Sequence, residues 1–174
     1  MKAIIACFVA LSMAALTAQA ADVSVKLTEV HLCCKSCVNI AQKTAEKVPG
    51  STIVADQEED TITVTAADTA TVQKAVDALV AGGYFGKSSN PDIKVVSDTG
   101  AKGEMVTTLD VSNVHLCCPK CVKAVNEILS TVPGYTTNNA VKNAKTFTVT
   151  GNFKDSDVFA ALQKGGLTGK AGKP

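Results

Sequence analysis

Two short stretches hold both histidines and six of the seven cysteines: His31-Leu32-Cys33-Cys34-Lys35-Ser36-Cys37 and His115-Leu116-Cys117-Cys118-Pro119-Lys120-Cys121. Thiolate sulfur and imidazole nitrogen are the soft and borderline donors that take up Cu(I), Zn(II) and related ions, and paired thiols also exchange disulfides. A duplicated motif that concentrates them points to metal or redox chemistry.

The secure part of each copy is the Cys-x-x-Cys pair, Cys34 with Cys37 and Cys118 with Cys121. Apolar positions at helical spacing follow at once, Val122, Val125, Leu129 and Val132 in the second copy and Val38, Ala41, Ala45 and Val48 in the first. The first cysteine of each pair therefore falls near a helix N-cap and the second one turn on, so both sulfurs face one side. Unpaired N–H groups and the helix dipole there favour thiolate over thiol. Cys33 and Cys117 precede the helix and are expected as third ligands. For His31 and His115 three roles stay open: ligand, hydrogen-bond partner of a ligand, or a loop residue packed beside the site.

The duplication extends beyond the cysteines. Val48-Pro49-Gly50 returns as Val132-Pro133-Gly134 at the same offset of 84 as the cysteine clusters; Thr61–Thr65 returns as Thr146–Thr150, and the glycine pair 82–83 as 165–166. Alternating Val23, Val25 and Leu27, and Leu109 and Val111, predict a first strand in each copy. Pro-Gly stops the first helix, and two strands follow, Thr52–Ala55 with Thr61–Thr65 and Tyr135–Val141 with Thr146–Gly151. A second helix carries Val72, Ala75, Val76 and Leu79, matched by Val158, Phe159, Ala161 and Leu162 behind the capping candidates Asp155 and Ser156. A short last strand is expected through Tyr84–Lys87 and Leu167–Lys170. The order predicts an α+β fold of two tandem ferredoxin-like βαββαβ modules, 21–87 and 104–174, joined by a linker, 88–103, in which Ile93–Val96 could form a further edge strand.

Met1-Lys2, an apolar run from Ala3 to Leu16 and Ala18-Gln19-Ala20 read as a signal peptide over 1–20. The run is short of the roughly 20 residues that span a bilayer. The remaining chain is expected to be exported, periplasmic or secreted, with no membrane association after cleavage. It has 16 lysines against 16 acids and no arginine or tryptophan, which argues against a nucleic-acid partner. The modules differ in sign: 21–87 holds 6 lysines and 9 acids, and 104–174 holds 8 lysines and 5 acids.

With these motifs in place, the chain resembles tandem heavy-metal-associated domains, the small modules of copper chaperones and of metal-pumping ATPase tails. That family carries Gly-Met-Thr-Cys-x-x-Cys between its first strand and first helix, where Cys34-x-x-Cys37 and Cys118-x-x-Cys121 fall. Leu32 and Leu116 take the family's methionine position, and Tyr84 matches the Gly-Tyr that ends its second helix, placing it near the site; the second copy has Leu167. Histidine replaces the family's glycine, and Cys33 or Cys117 replaces its threonine. The resemblance implies a metal cargo, Cu(I) foremost, and a metal-trafficking protein as partner. The added thiol and imidazole make trigonal Cu(I) or tetrahedral Zn(II) feasible as well.

Two other readings compete. Cys118-Pro119-Lys120-Cys121 has the spacing of a thiol-disulfide redox pair, although each module is too short for a thioredoxin fold and proline also suits a first helical turn. Six cysteines in an exported chain could instead form disulfide staples, yet clustered neighbours bridge poorly. No base or phosphate-cradling loop accompanies the cysteines, so the chain is expected not to be an enzyme.

Overall fold

The computed structural model describes residues 22–172; the expected signal peptide and its cleavage point lie outside the described residues. The described residues form two antiparallel four-stranded sheets and four α-helices. In the first half, β1 (Val23–Thr28), α1 (Lys35–Lys43), a 3-10 turn (Thr44–Lys47), β2 (Ser51–Asp56), β3 (Thr61–Ala66), α2 (Thr69–Ala81) and β4 (Lys87–Ser88) follow in order. The second half repeats this with β5 (Met105–Ser112), α3 (Pro119–Leu129), β6 (Tyr135–Asn138), β7 (Thr146–Lys154), α4 (Asp155–Lys164) and β8 (Lys170–Ala171). The sheet orders, β2-β3-β1-β4 and β6-β7-β5-β8, are equivalent.

Period-two patterning sets the register. Val25 lies opposite Val64 and Leu27 opposite Ile62; Leu109 lies opposite Val149 and Val111 opposite Phe147. A one-residue slip would turn these side chains out of the core. The helices bury a matching stripe, Cys37 and Ala41 on α1, Val72, Ala75, Val76 and Leu79 on α2, Cys121, Val125 and Leu129 on α3, and Val158, Phe159 and Leu162 on α4. The first-turn cysteine of each site is thus part of the core. Among the described residues no helix is long and apolar enough to cross a membrane.

Four details differ from the sequence expectation. The last strands are shorter and later, because Tyr84 and Leu167 pair with each other across the two halves instead of with β1 and β5. Strand β6 ends at Asn138: the Asn138 carboxamide caps the Ala140 N–H (2.9 Å), and the Asn139 carboxamide accepts from the Thr148 N–H (2.6 Å) where backbone would have paired. Residues 93–96 form no strand, since the Gln73 amide takes both backbone groups of Lys94 at 2.8 Å and Ile93, 2% exposed, plugs into the core.

Asp155, expected to cap α4, sits one residue inside it behind Lys154. Its carboxylate, in a residue 6% exposed, accepts instead from the N–H groups of Lys102 (2.8 Å), Gly103 (2.7 Å) and Glu104 (3.1 Å), fastening the end of the linker to the second half. Burial works against its ionisation, but the N–H groups of Lys102, Gly103, Ser156 and Glu104 outweigh it and hold the carboxyl below its usual range. The stabilisation is present above the unfolded carboxylate value of about 3.9 and is lost as pH falls through the lower folded value. Asp155→Ala is expected to cost about 2–3 kcal/mol at pH 7, for hydrogen bonds to a charged group. In urea unfolding the gap to wild type should narrow steadily below about pH 4; a gap that did not depend on pH would rule out the charge.

Candidate metal centre

Each cysteine loop is aimed by the residue that ends its first strand. Glu29 and Asn113 occupy equivalent positions two residues before the histidine and both adopt a left-handed backbone, φ 60° and 61°. That turn breaks strand parity, so β1 and β5 do not continue to the histidines. Val30 and Leu32, and Val114 and Leu116, are buried on either side of the histidines and pin the loops to the core. Cys34 and Cys118 are the N-caps of α1 and α3 in extended backbone, their carbonyls accepting from the N–H groups of Cys37 (2.9 Å) and Cys121 (3.1 Å).

The two halves meet at these loops through a near two-fold contact of backbone. Phe85 N–H donates to Gly166 O (3.1 Å) and Thr168 N–H to Gly83 O (3.0 Å), with Tyr84 bridged to Leu167 between them. Gly83 (φ 88°) lies on the second cysteine loop: a Cβ there would come within 2.7 Å of His115 N. Gly166 (φ 76°) lies equally close on the first loop, where a Cβ would reach 2.4 Å from His31 N. Both positions need glycine for φ and for the approach. The duplicate spacing of these glycines is visible in the sequence, but not that each touches the other half.

The apposition merges the two cysteine sets. Cys33 Sγ lies 3.4 Å from both Cys118 Sγ and Cys121 Sγ, and Cys37 Sγ lies 3.4 Å from Cys117 Sγ and 3.8 Å from Cys121 Sγ. Cys34 and Cys117 are 3.9 Å apart. Within each half the sulfurs lie 3.6–3.7 Å apart. All six are free thiols; Cys37 and Cys121 are buried and the other four half-buried.

The histidines flank this cluster unequally. His115, 7% exposed, lies on the Tyr84 ring with centroids 4.6 Å apart, and its Nε2 is 3.4 Å from the Tyr84 hydroxyl. The hydroxyl proton goes to Cys37 O (2.8 Å), so the His115 Nε2–H is the donor to the phenol oxygen and Nδ1 keeps the free lone pair. Burial holds His115 below the usual imidazole range, hence neutral. At the equivalent place in the second half stands Leu167, which has no hydroxyl, and His31 Nε2 is buried without a hydrogen-bond partner. Donor atoms of Cys37, His115, Cys117 and Cys121 lie within 4.8 Å of one another, as do those of His31, Cys33 and Cys121, and of Cys33, Cys34 and Cys118.

Packed thiols cannot all ionise together. The first charge settles on Cys121, held low by the Cys37 thiol and, against its burial, by the His31 ring and the Cys33 and Cys118 thiols. That charge and burial push Cys37 far up. Burial with the Cys118 and Cys121 contacts raises Cys33, and burial pushes Cys117 up to about 12. Cys34 is the exception: burial would raise it, but the Cys37 N–H and thiol, the Cys118 thiol and the Ser36 N–H bring it down to about 7. The Cys34 side chain makes no formal cap hydrogen bond, yet these N–H dipoles favour the anion.

Reactivity should follow that order, because the thiolate is the nucleophile. Brief iodoacetamide treatment of the reduced, metal-free protein at pH 7.5 (about half a unit above the Cys34 value) is expected to label Cys34 well before Cys33 and Cys117. Peptide mapping that found Cys33 or Cys117 labelled first would contradict the assigned charge distribution.

No family model matches the sequence. Among solved structures, the chain is similar to the N-terminal soluble domains of Bacillus subtilis CopA, with 18% identity and a TM-score of 0.31 over 88% of this chain and 95% of that one. A second structure, of the water-soluble region of the P-type ATPase CopA from Bacillus subtilis, also has 18% identity and a TM-score of 0.31, covering 87% of this chain and 92% of that one.

Proposed function

We propose that the chain is an exported, non-enzymatic soft-metal-binding protein of two ferredoxin-like modules, which sequesters Cu(I) or hands it to another metal-trafficking protein. The observation that carries this reading is the convergence of six free thiols with sulfurs 3.4–3.9 Å apart. A thiolate–metal bond of about 2.3 Å sets the sulfurs around a trigonal ion about 4.0 Å apart, and around a tetrahedral ion about 3.8 Å apart. Little movement is needed to load the site. Half-buried Cys34 and Cys118 give an incoming ligand somewhere to attack, while buried Cys37 and Cys121 retain the ion. Zn(II) is the second candidate cargo, favoured specifically by the Cys37, His115, Cys117 and Cys121 donors, three sulfurs and a nitrogen.

Competitive titration of the reduced protein with Cu(I) and Zn(II), beside Cys34→Ser/Cys37→Ser and Cys118→Ser/Cys121→Ser, tests the reading. Both double variants are expected to weaken Cu(I) binding on the order of a hundredfold or more. Equal retention of both metals by wild type and variants would overturn it. Since Cys33, Cys37 and Cys117 are raised, they are protonated at neutral pH and protons compete with the metal. Apparent affinity should therefore fall steeply as pH drops from 8 to 6 (an interval of about two units), with protons released to a pH indicator on binding.

A further inference from the structure

We infer that the two cysteine motifs form one polynuclear Cu(I)–thiolate centre with four trigonal positions, spanning the contact between the halves, and not one mononuclear site per half. The inference rests on the soft-metal reading and specifies its site. The sulfur contacts define four triangles in which every pair lies within 3.9 Å: Cys33–Cys37–Cys121, Cys33–Cys118–Cys121, Cys34–Cys37–Cys117 and Cys37–Cys117–Cys121. Each triangle contains sulfurs from both halves. Neither half supplies such a hydrogen-bonded triangle alone, because among the described residues no thiol hydrogen bond links Cys33 to Cys34 or Cys117 to Cys118.

Three sulfurs at this spacing are a trigonal Cu(I) site after slight expansion, and no four of the six are all in mutual contact as a tetrahedral four-thiolate ion requires. Triangles that share edges make the thiolates bridge, Cys37 and Cys121 most of all, since each belongs to three. Charge supports the count. Six thiols lose six protons as four Cu(I) ions enter, with no change of oxidation state, leaving a net charge of −2 on the centre. The N-termini of both α1 and α3 lie at the cluster, each a partial positive pole of about half a charge. His31, whose buried Nε2 has no hydrogen-bond partner, places a ring nitrogen within 4.8 Å of the Cys33 and Cys121 sulfurs and can hydrogen-bond or ligate a bound centre.

Anaerobic Cu(I) titration of the reduced full-length mature chain, read by native mass spectrometry against a chromophoric Cu(I) competitor, tests this. The shared centre predicts saturation at four ions per chain, with the metal-free and four-ion species dominating at half loading. Cys33→Ser removes two triangles and Cys117→Ser the other two, so either variant should stop at two ions. Wild type filling one ion at a time and saturating at one or two, with Cys33→Ser unchanged, would overturn the shared centre while leaving the soft-metal reading intact. A wild-type protein that held neither Cu(I) nor Zn(II) against the competitor would sink both. Serine replaces sulfur at nearly the same size, and the wild-type stoichiometry decides the matter even if a variant folds poorly.

Discussion

Backbone proximity at Gly83 and Gly166 is the constraint on which the arrangement of the site depends. Each glycine brings the end of one half's second helix against the other half's cysteine loop, at distances no Cβ would tolerate. Ion pairs take no comparable part: Lys87–Glu29 and Lys123–Glu127 each remain within one half, although the halves carry opposite net charge. Three backbone hydrogen bonds, Phe85 N–H and His31 N–H to Gly166 O and Thr168 N–H to Gly83 O, join the Tyr84–His115 ring contact and the thiols in the contact. Spacing between sulfurs of different halves is therefore fixed by main chain, the least adjustable part of a protein, and not by long side chains. Glu29 and Asn113 extend the same control inward, because their left-handed turns set the direction in which each loop leaves its strand.

The same geometry governs the charge of the cluster. Neutral thiols pack as small apolar groups and cost little to bury. Burial is the first cause that raises Cys33 and Cys117, and the contact with the Cys121 thiol, followed by burial, raises Cys37. On the soft-metal reading proposed above, an entering ion would replace those protons and couple the contact between the halves to metal and to pH.

Much of this was legible in the sequence. Repeated Cys-x-x-Cys pairs followed by helical spacing located both N-caps, and alternation in Val23–Leu27 and Thr146–Thr150 gave the strands and their faces. Long-range pairing was not legible, because a duplicated motif is equally compatible with two modules apart or face to face. The opposite charges of the two modules allow the copies to face each other without requiring it, and a glycine that ends a helix looks the same as one that admits a neighbouring chain. Asp155 misled for a related reason: an acid at a helix start is a sound cap, but the linker backbone of 102–104 offered three donors that no local rule could anticipate.

A break in the near two-fold relation falls beside the thiols. Tyr84 gives His115 an oxygen to bond to and fixes its ring, whereas Leu167 leaves His31 Nε2 buried and unpaired. A buried polar atom without a partner costs about 1–3 kcal/mol until it acquires one. The first loop therefore keeps an unpaired Nε2 on a histidine whose ring lies beside Cys33 and Cys121 and helps hold Cys121 low, while the second has its histidine's Nε2 on the tyrosine. Any anion, thiolate or ion that reaches His31 gains more there than at His115 Nε2. Two loops that share His-Leu-Cys-Cys-x-x-Cys thus also differ in the partner that the opposite half offers each histidine.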